Sequence, residues 1–160
     1  SRIYIYINAI DEDTDYTYEL KSKYADYLYP AGNIIIDHVL SANDTELAGI
    51  YQSSDAFIFP NENQTWGNAV LEAMACGACV FVSDSCGISE IIEHGQNGFK
   101  YRCKDIEAIK NFLVGLVDGS VKYAATGVLA AEHVSKNLSW NSWGDAHVAL
   151  FKENKIVEIN

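Results

Sequence analysis

The chain has 160 residues, 49% hydrophobic and 21% charged, enough for one domain with its own core and typical of a globular protein. Its formal net charge of −11 opposes nucleic-acid binding, which rests on neutralising phosphates with Lys and Arg, and opposes electrostatic docking of this segment on an anionic bilayer. No apolar run approaches the roughly 20 residues of a membrane span. No secretory leader is visible, and Ser1-Arg2 opens directly inside a strand pattern, so the chain reads as a fragment.

Arg2–Asn8 alternates and is β-branched and aromatic, which predicts a strand. An acidic loop, Asp11 to Asp15, leads into a predicted helix from Tyr16 to Tyr29, with Leu20, Tyr24, Tyr27 and Leu28 on one face. Pro30-Ala-Gly32 breaks it. Asn33–Val39 is the next predicted strand. Ser41 or Asp44 can cap a short helix from Thr45 to Gln52, with Leu47, Ile50 and Tyr51 inward.

Asp55–Phe59 predicts a strand, followed by a polar loop and a helix from about Gly67 to Gly77. Ala78–Val82 is an apolar strand, and Ile88–His94 a short helix. Gly95-Gln-Asn-Gly98 turns the chain into a strand at Phe99–Tyr101. A helix from Asp105 to Val117 carries the stripe Ile106, Ile109, Phe112, Leu113 and Leu116. Two further helices are predicted at Tyr123–Asn137 and Trp140–Glu153. Strands alternating with helices imply a Rossmann-like α/β fold: a parallel sheet with helices on both faces, forming a single domain over residues 1–160.

Several motifs carry a bland reading beside a sharp one. Cys76 and Cys79 have the C-x-x-C spacing of redox and zinc sites. The pair closes a helix rather than opening one, and no second pair completes a cage, so both read as small hydrophobes. Thiols without a pairing plan suit a reducing cytosol. Asp11-x-Asp13 has the form of a divalent-cation pair, but reads as a solvated acidic stretch before a helix, which the macrodipole favours. His38, His94, His133 and His147 show no metal or triad spacing. The sequons at Asn43, Asn63 and Asn137 read as unused. There is no G-x-G-x-x-G and no Walker-type loop.

The stretch from Phe57 to Gly77 is the most informative. A polar loop leaves the C-terminal end of a strand, where open α/β sheets place ligands. The following helix N-terminus offers free N–H groups and partial positive charge to an anion. Thr65, Trp66, Gly67 and Asn68 present those groups, and Gly67 permits close backbone approach. The Gln64 amide can reach ligand hydroxyls, and Glu72 can accept two hydroxyl hydrogen bonds, as from a ribose. The alternative is that Glu72 is a surface helix residue and Trp66 part of the core. With a net charge of −11, a phosphate must be held by main-chain N–H groups, by a few local cations, or by residues outside the chain.

Pro60…Gln64-Thr-Trp-Gly67-x-x-Val-Leu-Glu-Ala-Met-Ala-Cys-Gly77 resembles the signature of family-4 retaining glycosyltransferases of the GT-B fold. Ser83-Asp84-x-x-Gly87-x-x-Glu90-Ile-Ile-x-x-Gly95-x-Asn97-Gly98 is similar to the motif that follows it there. Leu47 to Pro60 fits the preceding helix and strand. The likeness runs from Arg2 to Trp143 and is most specific between Pro60 and Gly98.

That resemblance implies the C-terminal, donor-binding half of a two-domain enzyme, transferring a sugar from a nucleotide-diphosphate sugar with retention of configuration. It implies Glu72 on the ribose, the Thr65–Asn68 amides on donor sugar and diphosphate, and the turn after Val39 and Leu40 beside the base. The donor would be a UDP- or GDP-sugar, bound with no cofactor and no metal. The acceptor, a glycan, lipid or protein, would sit on a missing N-terminal domain. The implied placement is cytoplasmic, peripheral at the membrane where that domain attaches there.

Two departures stand out. The family pattern is Glu-x7-Glu, and Gln64 stands where the first glutamate belongs. An amide keeps an acceptor but loses the charge that could stabilise a cation-like transition state. A catalytically degenerate binding or assembly module is therefore the alternative reading. Arg2–Asn8 also matches the second strand of the family's domain, so the first strand and its phosphate-gripping cations are expected to be missing.

Overall fold

The computed structural model describes residues 3–7, 14–28, 30–32, 34–38 and 42–153. The chain divides into two compact units, residues 1–46 and 47–160.

In the first unit, β1 (Ile3–Ile7) and β2 (Ile34–His38) pair in parallel, in register from Ile3 opposite Ile34 to Ile7 opposite His38. Helix α1 (Thr14–Lys23) lies between them in sequence. It ends before the expected Tyr29, because a 3₁₀ turn at Ala25–Tyr27 takes over. The Tyr27 and Leu28 N–H groups donate three residues back, to the Tyr24 and Ala25 carbonyls. That tighter winding breaks the expected apolar stripe and leaves Tyr24 and Tyr27 exposed.

Helix α2 (Asp44–Ser53) opens at the border of the units. Its cap is neither of the expected residues. Asn43 Oδ1 accepts from the Thr45 and Glu46 N–H groups, and the Asn43 N–H donates to the Glu46 carboxylate at 3.0 Å. This reciprocal capping box satisfies donors at both ends of the first turn. Asp44 is instead the first helical residue, and Ser41 lies outside the described residues.

The second unit holds a three-stranded parallel sheet in the order β3 (Ala56–Phe59), β4 (Cys79–Ser83), β5 (Phe99–Tyr101). Every residue of β4 is buried. Val80 and Val82 join Val70, Ala73 and Met74 of α3 (Asn68–Ala75) and Ala130 of α5 (Tyr123–Asn137) in one core. Cys79 and Phe81 join Tyr101 and Phe112, the latter on α4 (Ile106–Asp118), in another. The period-2 alternation of a strand thus feeds two helical layers, as the uninterrupted apolar run of a central parallel strand requires. The Phe81 ring stacks on Phe112 at 4.1 Å and on Tyr101 at 4.5 Å.

Helix α4 is capped by Asp105, whose carboxylate accepts from the Ala108 N–H at 2.9 Å, and closes on left-handed Gly119. Its buried face is Ala108, Ile109, Phe112, Gly115 and Leu116. Ile106 and Leu113, expected in that stripe, are exposed. The helix expected over Ile88–His94 is instead a 3₁₀ turn at Gly87–Ile91. Asn97 ends it by accepting from the Glu93 N–H at 2.7 Å and donating to the Ile91 carbonyl at 3.1 Å.

Helix α5 crosses the end of α3 so closely that a Cβ on Gly127 would meet the Gly77 carbonyl. The last helix, α6 (Trp140–Glu153), has exposed Trp140 and Trp143. Among the described residues, no single helix is long and apolar enough to cross a membrane.

Candidate functional site

The loop from Pro60 to Gly67 leaves the C-terminal end of β3 and enters α3. Gln64, Thr65, Trp66 and Asn68 are exposed, and Gly67 is buried. Trp66, 39% exposed, is not a core residue. Asn63 adopts φ 53°, a left-handed turn residue that Asn tolerates. Gly67 precedes the helix and supplies no side-chain cap. Its carbonyl accepts from Val70 at 2.9 Å and Leu71 at 3.4 Å. Among the described residues, the N–H groups of Thr65 through Ala69 make no hydrogen bond. Those of Gly67, Asn68 and Ala69 are the orphan donors of a helix start, and those of Thr65 and Trp66 lie on the exposed loop before it.

A second loop holds the first in place. After β4, the turn over residues 84–87 fastens to it at three points. The Cys86 thiol donates to the Asn61 carbonyl at 3.0 Å, and the Ser85 hydroxyl does so at 3.4 Å. The Gly87 N–H donates to the Gln64 carbonyl at 2.9 Å. A Cβ at Gly87 would meet the Thr65 carbonyl, so this glycine lets the loops touch. Gly67 seats against Ile88 and Phe59, whose nearest atoms would stand 3.0 Å and 3.4 Å from a Cβ there. Buried Ser83 braces the turn through a 2.9 Å contact between its hydroxyl and that of Ser85. Asp84 accepts from the Cys103 N–H at 2.9 Å, adding the segment after β5. Lys104 reaches back to Glu62 at 3.2 Å, an exposed ion pair of small energetic weight.

Glu72 lies in the middle of α3 and is exposed. The Tyr51 hydroxyl donates to its Oε2 at 3.5 Å. Burial first, then the Glu72 charge, pushes the Tyr51 phenol up to about 12, so it stays a donor across neutral pH. Burial also raises the Cys86 thiol, opposed by hydrogen bonds with the Gln64 main chain and Ser85.

Gln64, Thr65, Trp66, Gly67, Asn68 and Glu72 thus fall on one loop and the helix it opens. Val39 and Leu40, and the acidic pair Asp11 and Asp13, lie outside the described residues. Tyr51 reads in sequence only as an inward helix residue, and no local signal marks its hydroxyl as a partner of Glu72. Gly87 stands in a motif, but its contact with the Gln64 loop is visible only in three dimensions. Cys76 closes α3 and Cys79 is buried in β4, where the sequence pattern puts them.

The profile of the family described as glycosyl transferases group 1 matches residues 18–127, more than half of the chain and the whole of this loop–helix site. The chain belongs to that family.

D-inositol 3-phosphate glycosyltransferase from Corynebacterium jeikeium is 30% identical over 108 residues, covering 68% of this chain and 26% of that relative. The chain spans about a quarter of the length of the curated relatives it matches (24% and 26% for two of them). Among solved structures, the C-terminal domain of a glycosyl transferase group 1 protein from Francisella tularensis superposes with a TM-score of 0.69 at 23% identity, over 82% of this chain and 67% of that one. An Anabaena protein, HepE, solved in complex with UDP-glucose, gives a TM-score of 0.65 at 20% identity, over 84% of this chain and 36% of that one. The fold is that of the C-terminal domain of GT-B glycosyltransferases, and the family is enzymatic.

Proposed function

We propose that this chain is the donor-binding domain of a glycosyltransferase that moves a sugar from a nucleotide-diphosphate sugar to an acceptor with retention of configuration. One observation carries the reading. The unpaired N–H groups of Thr65 to Ala69 stand at the start of the helix that carries Glu72. Free N–H groups and the positive helix end suit a diphosphate. A carboxylate on the same helix suits vicinal ribose hydroxyls.

On this reading the Thr65, Trp66, Gly67 and Asn68 amides meet the diphosphate and donor sugar, and Glu72 holds the ribose. Gln64 contacts the donor sugar beside the reacting carbon, and the turn after Val39 and Leu40 flanks the base. Main-chain donors stand in for a metal. The UDP-glucose captured by the Anabaena neighbour supports a UDP-sugar, with a GDP-sugar as the other candidate. The acceptor binds to a separate domain, and the protein works in the cytoplasm.

The test is calorimetric titration of the full-length protein with UDP and GDP, followed by transfer assays with UDP-, GDP- and ADP-sugars. Saturable binding of one nucleotide and incorporation of its sugar are expected. No binding and no incorporation would overturn the reading.

A second reading, a degenerate glycosyltransferase-like module, draws on Gln64, which lacks the charge of the family's usual glutamate. Gln64→Glu in the full-length protein separates the two. Transfer by native Gln64 removes the second reading, whereas transfer only by the variant establishes it.

A further inference from the structure

We infer that Tyr51 is a positioning residue, whose hydroxyl holds the Glu72 carboxylate in the orientation that meets the ribose diol of a nucleoside diphosphate. The inference rests on the donor-binding reading above.

Glu72 is exposed, and among the described residues no Lys, Arg or His stands at ion-pair distance from it. The groups facing it are neutral donors. One is the Tyr51 hydroxyl, 3.5 Å from Oε2. The other is the Cys76 thiol, raised by burial and then by the Glu72 charge. A carboxylate with no cation nearby keeps its lone pairs available for hydroxyl groups. It also samples several rotamers, and that freedom must be lost when a ligand docks. A bond from an immobile donor removes part of that loss in advance.

Tyr51 is such a donor. It is 5% exposed. Its ring meets Phe57 edge to face, with centroids 5.4 Å apart and planes at 87°. Phe57 stacks on Phe59 at 6.1 Å, and the Phe59 ring lies against Gly67. A row of three rings therefore runs under the site from the partner of Glu72 to the start of α3. The 3.5 Å separation is long for O–H···O, a slack contact that a ligand can tighten. With one lone pair of Oε2 taken by Tyr51, Oε1 and the rest of Oε2 remain for the diol. A tyrosine that only packed would need its ring and not its hydroxyl.

The test uses the full-length protein and calorimetry with UDP and GDP, and with the 2′,3′-dideoxy form of whichever binds. Tyr51→Phe keeps the ring and its contact with Phe57. It should weaken the ribonucleotide about three- to tenfold, leave the dideoxy nucleotide unchanged, and leave the melting temperature nearly so. In a Glu72→Ala background, the same substitution should alter ribonucleotide binding by less than about twofold. Equal ribonucleotide binding by wild type and Tyr51→Phe would overturn the inference and leave the donor-binding reading standing. Equal losses for both nucleotides would also overturn it, because they mark a packing role. Failure of the wild type to bind either nucleotide would remove the donor-binding reading and this inference together.

Discussion

Gly87 donates its main-chain N–H to the Gln64 carbonyl at 2.9 Å, and its bare Cα faces the Thr65 carbonyl. One residue thus sets the height of the loop that presents the N–H groups at the start of α3. Gly87→Ala would drive a methyl group into that carbonyl. Overpacking of this kind costs about 1–3 kcal/mol, readable as a lowered denaturant midpoint. Displacing the loop should cut nucleotide affinity by about tenfold or more. An unchanged affinity beside a lowered midpoint would show that the loop's position is irrelevant to binding.

Glu72→Ala should weaken nucleotide binding about 10- to 100-fold and lower transfer, while leaving stability within about 1 kcal/mol, because the side chain is exposed and its contact with Tyr51 is long. Paired titration and melting experiments read both quantities. A variant that transfers sugar at the wild-type rate would remove Glu72 from the site.

Two glycines should respond in opposite directions. At Gly127 a Cβ would meet the Gly77 carbonyl, whereas at Gly144, within α6, nothing lies within 4 Å. Gly127→Ala should destabilise by about 1–3 kcal/mol as α5 is pushed off the end of α3. Gly144→Ala should stabilise by about 0.5–1 kcal/mol through helix propensity. Chemical denaturation of the two variants checks the contrast.

Alkaline pH should destabilise the fold before it ionises the core. Burial pushes the Cys79 thiol up from 9.0 to about 12, and Tyr51 up from 10.0 to about 12. Both groups are raised in the folded state, so their contribution is whole below the unfolded values. It is lost as pH climbs from about 9 towards 12. The denaturant midpoint should fall over that window, and Cys79→Ala should flatten its first part. Near neutral pH, half-exposed Cys103 should react with a thiol reagent faster than Cys76, whose thiol is raised by burial and the Glu72 charge, while Cys79 stays silent until unfolding.

The layered α/β plan was legible because β4 and its neighbours announce themselves locally. Five apolar residues in a row mark a central strand, and Gly77, Gly119 and Leu138-Ser139 punctuate the helices around it. The limits of α5 and the start of α6 follow the sequence pattern residue by residue. The site was legible in part, since the loop and Glu72 share one short motif. Its supports were not, because each depends on residues far apart in the chain. Tyr51 lies 21 positions from Glu72, and Cys86 lies 25 from Asn61. Local polar competition also overrides the apolar pattern. Asn43 captured the cap expected of its neighbours, and Asn97 stopped a helix at a 3₁₀ turn. Apolar spacing carries no information about such side-chain to main-chain bonds.

Trp66 gives the loop a built-in lamp. The other two of the chain's three indoles, Trp140 and Trp143, sit together on α6 at 6.1 Å and can both be exchanged for phenylalanine. The remaining emitter would then be a half-open indole beside the N–H groups of the α3 start. Its emission colour should shift when that exposed face loses contact with water, so occupancy of the loop could be followed optically without a label.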